Sequence, residues 1–235
     1  MTRTNEFNQP IGDALPADWR APPKPPRVHL TGARVRVESL DPDRHALDLY
    51  EANRLDKSGE GWTYLNYGPF QDQTEYHSWL ETACMGADPM FWAYIDIATD
   101  QAVGLGSYLR INPGDGVIEV GHLRFSPRLQ RTALATEAMY LKMKNVFELG
   151  YRRYEWKCDA LNAPSRKAAE RFGFKFEGIF RQATLYRGRN RDTAWFSIID
   201  TEWPAVRAAH ESWLAPSNFN GDGEQIKPLS HFMPR

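Results

Sequence analysis

Ser126-Pro127-Arg128-Leu129-Gln130-Arg131-Thr132-Ala133-Leu134-Ala135-Thr136-Glu137 is the stretch on which the reading of this 235-residue chain turns. Before it, Val117–Phe125 has the composition of a strand. After it, Leu134, Ala138, Leu141 and Val146 recur at helical spacing, as do Met139 and Met143, and Gly150 ends the run. A strand therefore enters a loop, and the loop opens a long helix. The first N–H groups of a helix lack internal partners and sit at the positive end of its dipole, so they bind anions. Ala133 and Ala135 leave room for close approach to that backbone, Arg128 and Arg131 add charge, and Thr132 and Thr136 add hydroxyl donors. A pyrophosphate suits such a turn. Taken alone, the loop fits a plain helix start with basic decoration at least as well.

Outward from this turn, strands and helices interleave. Arg34–Leu40, Phe91–Ile97, Ala102–Ile111 and Tyr154–Cys158 read as strands, and Phe174–Leu185 and Thr193–Ile199 as a strand pair. Helices are predicted from Asp41-Pro42, over Asp72–Met85, over Pro164–Phe172 and over Glu202–Leu214. Asp41 suits an N-cap and Pro42 a first helical position. The order implies an α+β (mixed α/β) fold, a mixed sheet with helices on its faces. Residues 1–28 hold six prolines and read as an extended arm, with Trp19 and Leu15 as candidate anchors. Residues 29–215 read as one domain, and 216–235 as a polar tail. The helix carrying Trp203 and Trp213 offers either a homodimer interface or two anchors for the protein's own core; the core is the preferred reading.

The formal net charge is −1, which argues against a nucleic-acid or acidic-membrane partner. The two cysteines, Cys84 and Cys158, have no metal-ligand spacing, so no metal is expected. No signal peptide and no apolar run long enough to span a bilayer is evident, so a cytoplasmic location is expected.

A second motif is more specific: Asn162-Ala163-Pro164-Ser165, then a short helix, then Gly173-Phe174. Asn162 suits a helix cap or an amide contact to a ligand, and Gly173 is placed to end the helix. Together the two motifs resemble the GNAT N-acetyltransferase superfamily. Gln130-x-x-Ala133-x-Ala135 is similar to its acyl-CoA pyrophosphate loop, Gln/Arg-x-x-Gly-x-Gly/Ala. Ala135-Thr136-Glu137-Ala138 and Asn162-x-x-Ser165 resemble the Rim-type branch, named for enzymes that acetylate ribosomal-protein N-termini. The likeness runs from about His29 to Trp203.

The resemblance implies a mostly antiparallel, twisted sheet of about seven strands, with acetyl-CoA as co-substrate. It implies acyl-CoA contacts from Leu123, Phe125, Gln130, Arg131, Thr132, Ala133, Leu134, Ala135, Thr136, Asn162, Ser165 and Arg166. Two departures stand out. Ala133 replaces the usual glycine, which costs about 1 kcal/mol if that position needs φ > 0 and nothing if it is helical. Ala169 stands where many members carry a tyrosine acid, leaving Ser165 to assist the departing thiolate.

Attack of an amine on a thioester needs a proton acceptor and a donor to the oxyanion. Glu119 is the first candidate base, eleven positions ahead of Gln130, and His122 the second. Backbone N–H groups near Val120–Leu123 are the candidate oxyanion donors. The aromatic loop Gly61–Phe70 resembles the acceptor side of such sites, with Trp62, Tyr64 and Tyr67 as candidate contacts to a small-molecule or peptide amine; these aromatics also suit the core. The expected activity is N-acyl transfer from acyl-CoA to a primary amine. The alternative is a non-catalytic acyl-CoA-binding or sensing protein, motivated by Ala133 and Ala169.

Overall fold

The computed structural model of the chain describes residues 3–234. Two short strands in the arm, β1 (Arg3–Thr4) and β2 (Pro10–Ile11), pair with each other. The main sheet is laid down by β3 (Leu30–Thr31), β4 (Val35–Ser39), β5 (Met90–Asp96), β6 (Gln101–Asn112), β7 (Val117–Phe125), β8 (Arg153–Asp159), β9 (Lys175–Tyr186) and β10 (Arg189–Ile199). Its spatial order is β3-β4-β5-β6-β7-β8-β10-β9. Among the described strands only β7 and β8 run parallel. The sheet thus has eight strands where about seven were expected. The two-residue β3 gives no periodic signal of its own.

The helices are α1 (Pro42–Asn53), α2 (Gln73–Ala83), α3 (Ala133–Glu148), α4 (Ala163–Arg171) and α5 (Trp203–Leu214). Their starts follow the sequence. Asp41 accepts from Asp43 N, and Asp72 accepts from Glu75 N at 2.9 Å while Glu75 accepts from Gln71 N at 2.6 Å. Helices α1 and α2 cover the front of the sheet, burying Leu49, Tyr76 and Leu80 against Phe91, Ala93 and Leu105. Helices α3 and α5 cover the back, burying Met139, Met143 and Val206 against Ile118, Tyr154 and Phe196. Trp203 and Trp213 are buried in this back core, as preferred from the sequence.

In the arm, Pro22 and Pro25 are buried, and the Pro23 carbonyl accepts from Tyr151 Oη at 3.1 Å. Trp19 lies against Gly116, but Leu15 is exposed and anchors nothing. In the C-terminal segment, Leu229 joins the back core, and the Asn218 amide donates to the Trp213 and Lys227 carbonyls at 3.0 and 3.1 Å.

His210 on α5 is fully buried, bonded to the Phe172 carbonyl at 3.1 Å and stacked on Tyr140. Burial pushes its pKa down from 6.5 to about 4. Between those values the unfolded chain binds the proton and the folded chain refuses it. Stability is therefore complete above pH 6.5 and falls as pH drops toward 4, by about 3 kcal/mol from this residue. Urea midpoints across that range should fall less steeply in His210→Phe; an equal slope would mean other groups carry the effect.

Candidate active site

Strands β7 and β8 are paired only from Val117↔Arg153 to Val120↔Trp156. Beyond Val120 the two strands part. Strand β8 stays in the sheet by pairing with β10 as far as Asp159↔Thr193. The β8-facing backbone groups of β7 after Val120 therefore have no strand partner, and a wedge opens in the middle of the sheet.

At the mouth of the wedge β7 carries a bulge. The register steps from Ser107↔Gly121 to Leu105↔Arg124, so His122 and Leu123 together oppose Gly106. His122 takes φ of +50°. A bulge re-aims one side chain. Leu123 and Phe125 pack on the back core, whereas His122 turns to the front and stacks on Tyr67 with ring centroids 5.8 Å apart. Gly106 is forced by the same geometry, since a Cβ there would meet Tyr94 and lie 2.8 Å from Leu123.

His122 Nδ1 lies 3.3 Å from Tyr67 Oη, and Phe91 packs on its other side. Burial lowers the imidazole pKa, and the nearby Arg191 cation lowers it further. Burial raises that of Tyr67 well above the ordinary value. The phenol therefore keeps its proton, and the neutral imidazole has one unprotonated ring nitrogen with which to accept a proton at the wedge.

Glu119 lies one step inside the paired part of β7 and is buried. Its Oε2 accepts from Lys157 Nζ at 2.8 Å, and Arg110 Nε is 3.3 Å away. Lys157 also reaches Glu155 at 2.8 Å. Burial raises the Glu119 pKa against the pull of these cations. Lys157 was not singled out from sequence; its place two residues after Glu155, on the same strand face, was the available signal.

Two helix starts flank the wedge. On one side Thr132 caps α3, accepting from Ala135 N at 3.1 Å. The left-handed residue of this turn is Arg131, φ +62°, and Ala133 is already the first helical residue. Alanine in place of glycine therefore costs nothing here. Gln130 folds back onto the Phe125 carbonyl at 2.8 Å, while Arg128 and Arg131 are exposed. Ala133 and Leu134 are half-buried. Thr136 is not available to a ligand: it is buried and accepts from Arg171 Nη1 at 3.1 Å, tying α3 to α4.

On the other side Asn162 caps α4 through Oδ1, which accepts from Ser165 N at 3.1 Å. Its amide N–H groups remain unused. Ser165 Oγ accepts from Trp156 Nε1 at 3.0 Å. An indole can only donate, so the serine hydroxyl keeps its own proton for another acceptor. Sequence alone gave no hint of Trp156 as its partner. Arg166 donates to the Ala160 carbonyl at 3.3 Å.

The aromatic loop closes the front. Trp62 is buried, and the Arg124 guanidinium lies 4.2 Å over its ring while bonding Asp56 at 3.0 Å. Trp62 is thus a packing residue. Tyr64 Oη reaches across to the Leu161 carbonyl at 3.1 Å, and Arg187 of the β9–β10 hairpin donates to the carbonyls of Tyr67 and Gly68. The structure thus brings His122, Tyr67, Tyr64, Ser165, Asn162 and the α3 start around one wedge, and leaves Trp62 and Thr136 inside the packing. Among the described residues no cluster of three or more His, Cys, Asp or Glu could hold a metal ion.

The pantetheine–pyrophosphate form of an acyl-CoA fits this setting on the chain's own evidence. The wedge offers unpaired strand amides, α3 offers its first N–H groups beside small alanines, and two exposed cations stand at the rim, Arg131 and Arg128, the latter bonded to the Gln101 amide oxygen at 2.8 Å.

A family model described as an acetyltransferase (GNAT) domain matches residues 34–175. A GCN5-related N-acetyltransferase from Brucella melitensis is 46% identical in sequence, with a TM-score of 0.89 over 92% of this chain and 98% of that one. A GNAT-family structure from Chromobacterium violaceum is 43% identical, with a TM-score of 0.75 over 84% and 100% of the two chains. An uncharacterized N-acetyltransferase of Bacillus licheniformis is 24% identical over 177 residues, 71% of this chain and 99% of that one.

Proposed function

This chain belongs to the GNAT acetyltransferase family, an acetyl-CoA-dependent N-acetyltransferase by that membership, and we propose that the β7 bulge and the start of α4 run its chemistry on an amine held at the front of the sheet. The observation that carries this reading is the bulge, which places a neutral imidazole at the point where the sheet opens.

In this reading the first amides of α3, with Arg128 and Arg131, hold the pyrophosphate of the acyl donor. Leu123 and Phe125 line the bulged strand beside its pantetheine arm, and the Asn162 amide donates to it. The unpaired N–H groups after Val120 donate to the carbonyl oxygen as negative charge develops. Ser165, its oxygen fixed by Trp156, donates its hydroxyl proton's hydrogen bond to the departing sulfur. His122 takes the proton of the amine. Glu119, already bonded to Lys157, sets the charge around the approach. Tyr64 and Tyr67 border the acceptor, which is a small-molecule or peptide amine. The chain works in the cytoplasm, where acetyl-CoA and such amines meet.

Release of free thiol from acetyl-CoA in the presence of a mixed amine library tests this function. Amine-dependent thiol release is expected. Binding of CoA without it would favour the non-catalytic reading, and no binding at all would overturn both. Ser165→Ala should bind CoA as the parent does and turn over roughly 10- to 100-fold more slowly, the worth of one hydrogen bond to a charged atom. An unchanged rate would remove Ser165 from the chemistry.

A further inference from the structure

The front of the wedge is bordered on its far side by β10. Along that strand, residues alternate between faces. Trp195 opposes Lys157 and takes its ammonium at 3.6 Å from the ring, on the face that carries Glu119. Two positions back, Thr193 opposes Asp159 at the end of β8. Arg191 comes two positions before that, beyond the end of β8, and pairs with Thr184 of β9 next to a register shift. Its side chain therefore belongs to the same front face, above the opening.

Arg191 differs from the other cations of this face. Lys157 is shared by Glu119 and Glu155, Arg153 is held by Glu155 and Glu177, and Arg187 is spent on two carbonyls. Arg191 has no carboxylate or carbonyl partner among the described residues, and its Nε is a buried donor with no acceptor. The Trp195 Nε1 on the same strand is a second buried donor without one. Asp192 next to it is turned away, accepting from Gln182 N and Asn190. Buried donors are normally satisfied, so an orphan beside a reaction centre points to a ligand that brings the acceptor. The guanidinium is also close enough to act on two neighbours: it adds to the burial that lowers the His122 pKa, and it offsets part of the burial that raises the Cys158 pKa. Its charge therefore acts beside His122, at the bulge where the sheet opens.

We propose that Arg191 is a specificity residue that binds a carboxylate carried by the acceptor close to the amine, so that the preferred acceptors are free amino acids or other amines with an adjacent carboxylate. This rests on the acyl-transfer reading of the same site. A guanidinium pairs two-pronged with a carboxylate, which fixes direction as well as distance. With the carboxylate on Arg191, the neighbouring amine is presented to His122 across the bulge, and Tyr64 and Tyr67 bound the side chain.

Two measurements on the full chain decide it. In the first, kcat/KM is compared for phenylalanine and for phenethylamine, which differ by the carboxylate alone. The parent should prefer phenylalanine, and Arg191→Gln should shrink that preference by roughly 10- to 100-fold. No preference, or one that survives the substitution, overturns the proposal. Phosphoethanolamine displacing phenylalanine as the better acceptor would overturn it in favour of a phosphate. In the second, the His122 imidazole is titrated by NMR with and without N-acetylphenylalanine. A carboxylate seated on Arg191 cancels the charge that depresses His122, so the probe should raise the His122 pKa in the parent and not in Arg191→Gln. A titration that does not move, or moves equally in both, overturns the proposal. If neither amine is acetylated while the NMR shift appears, the transfer reading fails and the carboxylate site stands.

Discussion

Glu137→Ala is expected to remove roughly 3–5 kcal/mol of stability, because three backbone N–H groups lose their acceptor at once. The Glu137 carboxylate accepts from Ala33 N at 2.9 Å and Arg34 N at 2.6 Å, in the turn between β3 and β4, and from Val35 N at 3.1 Å, the first residue of β4. It rises from α3, about a hundred residues away in sequence, and is itself buried. Each of those donors would be left facing a space that alanine cannot fill. For a chain of this length the loss corresponds to a fall in Tm of about 6–20 °C. Gly32 belongs to the same contact: a Cβ there would come within 2.6 Å of the Glu137 carboxyl carbon. Gly32→Ala should therefore be costly in the parent and nearly free in a Glu137→Ala background. Thermal unfolding of the two single variants and the double variant measures this coupling. Additive effects would show that the carboxylate and the glycine are independent.

This contact also shows where sequence reading stops. Ala135-Thr136-Glu137-Ala138 was legible as a motif, and its place at the start of a long helix was correct. What the glutamate and threonine do was not legible. Both face inward, one to a distant turn and one to Arg171, because α3 packs on the back of the sheet. Periodicity locates such residues on a helix but does not name partners that are remote in sequence. The same limit applied at Trp62, an aromatic in a Gly-flanked loop that packs under Arg124 rather than bordering the acceptor.

Elements with local causes fared better. Asp41-Pro42, Asp72 and Asn162 are helix starts whose side chains bond the next turn, so a few residues suffice to predict them. The bulge had no such signature. His122 in a strand of alternating residues should face the back core, and only the two-for-one pairing against Gly106 turns it forward. The parting of β7 from β8 is likewise a property of the assembled sheet. The two motifs marked the rims of the wedge, and the fold supplied the wedge itself.

His122→Gln should lower kcat by roughly 10²–10⁴-fold, the usual worth of a positioned proton acceptor. Glutamine fills similar space and can keep a contact with Tyr67, so the fold should survive; a parent-like unfolding curve checks this. The pH profile carries the assignment. A base works only when unprotonated, so activity is lost as pH falls through its pKa. Burial and Arg191 both hold the His122 pKa below the ordinary 6.5, so the acid limb of the parent should lie below that value, with full activity at pH 7. In His122→Gln that limb should vanish along with most of the rate. Glu119→Gln separates the two candidates. Glu119 is bonded to Lys157 and faced by Arg110, and a glutamine there can still accept from Lys157. It should slow turnover modestly and leave the acid limb in place. If instead the limb disappears with Glu119 and persists without His122, Glu119 takes the proton and the imidazole only shapes the pocket.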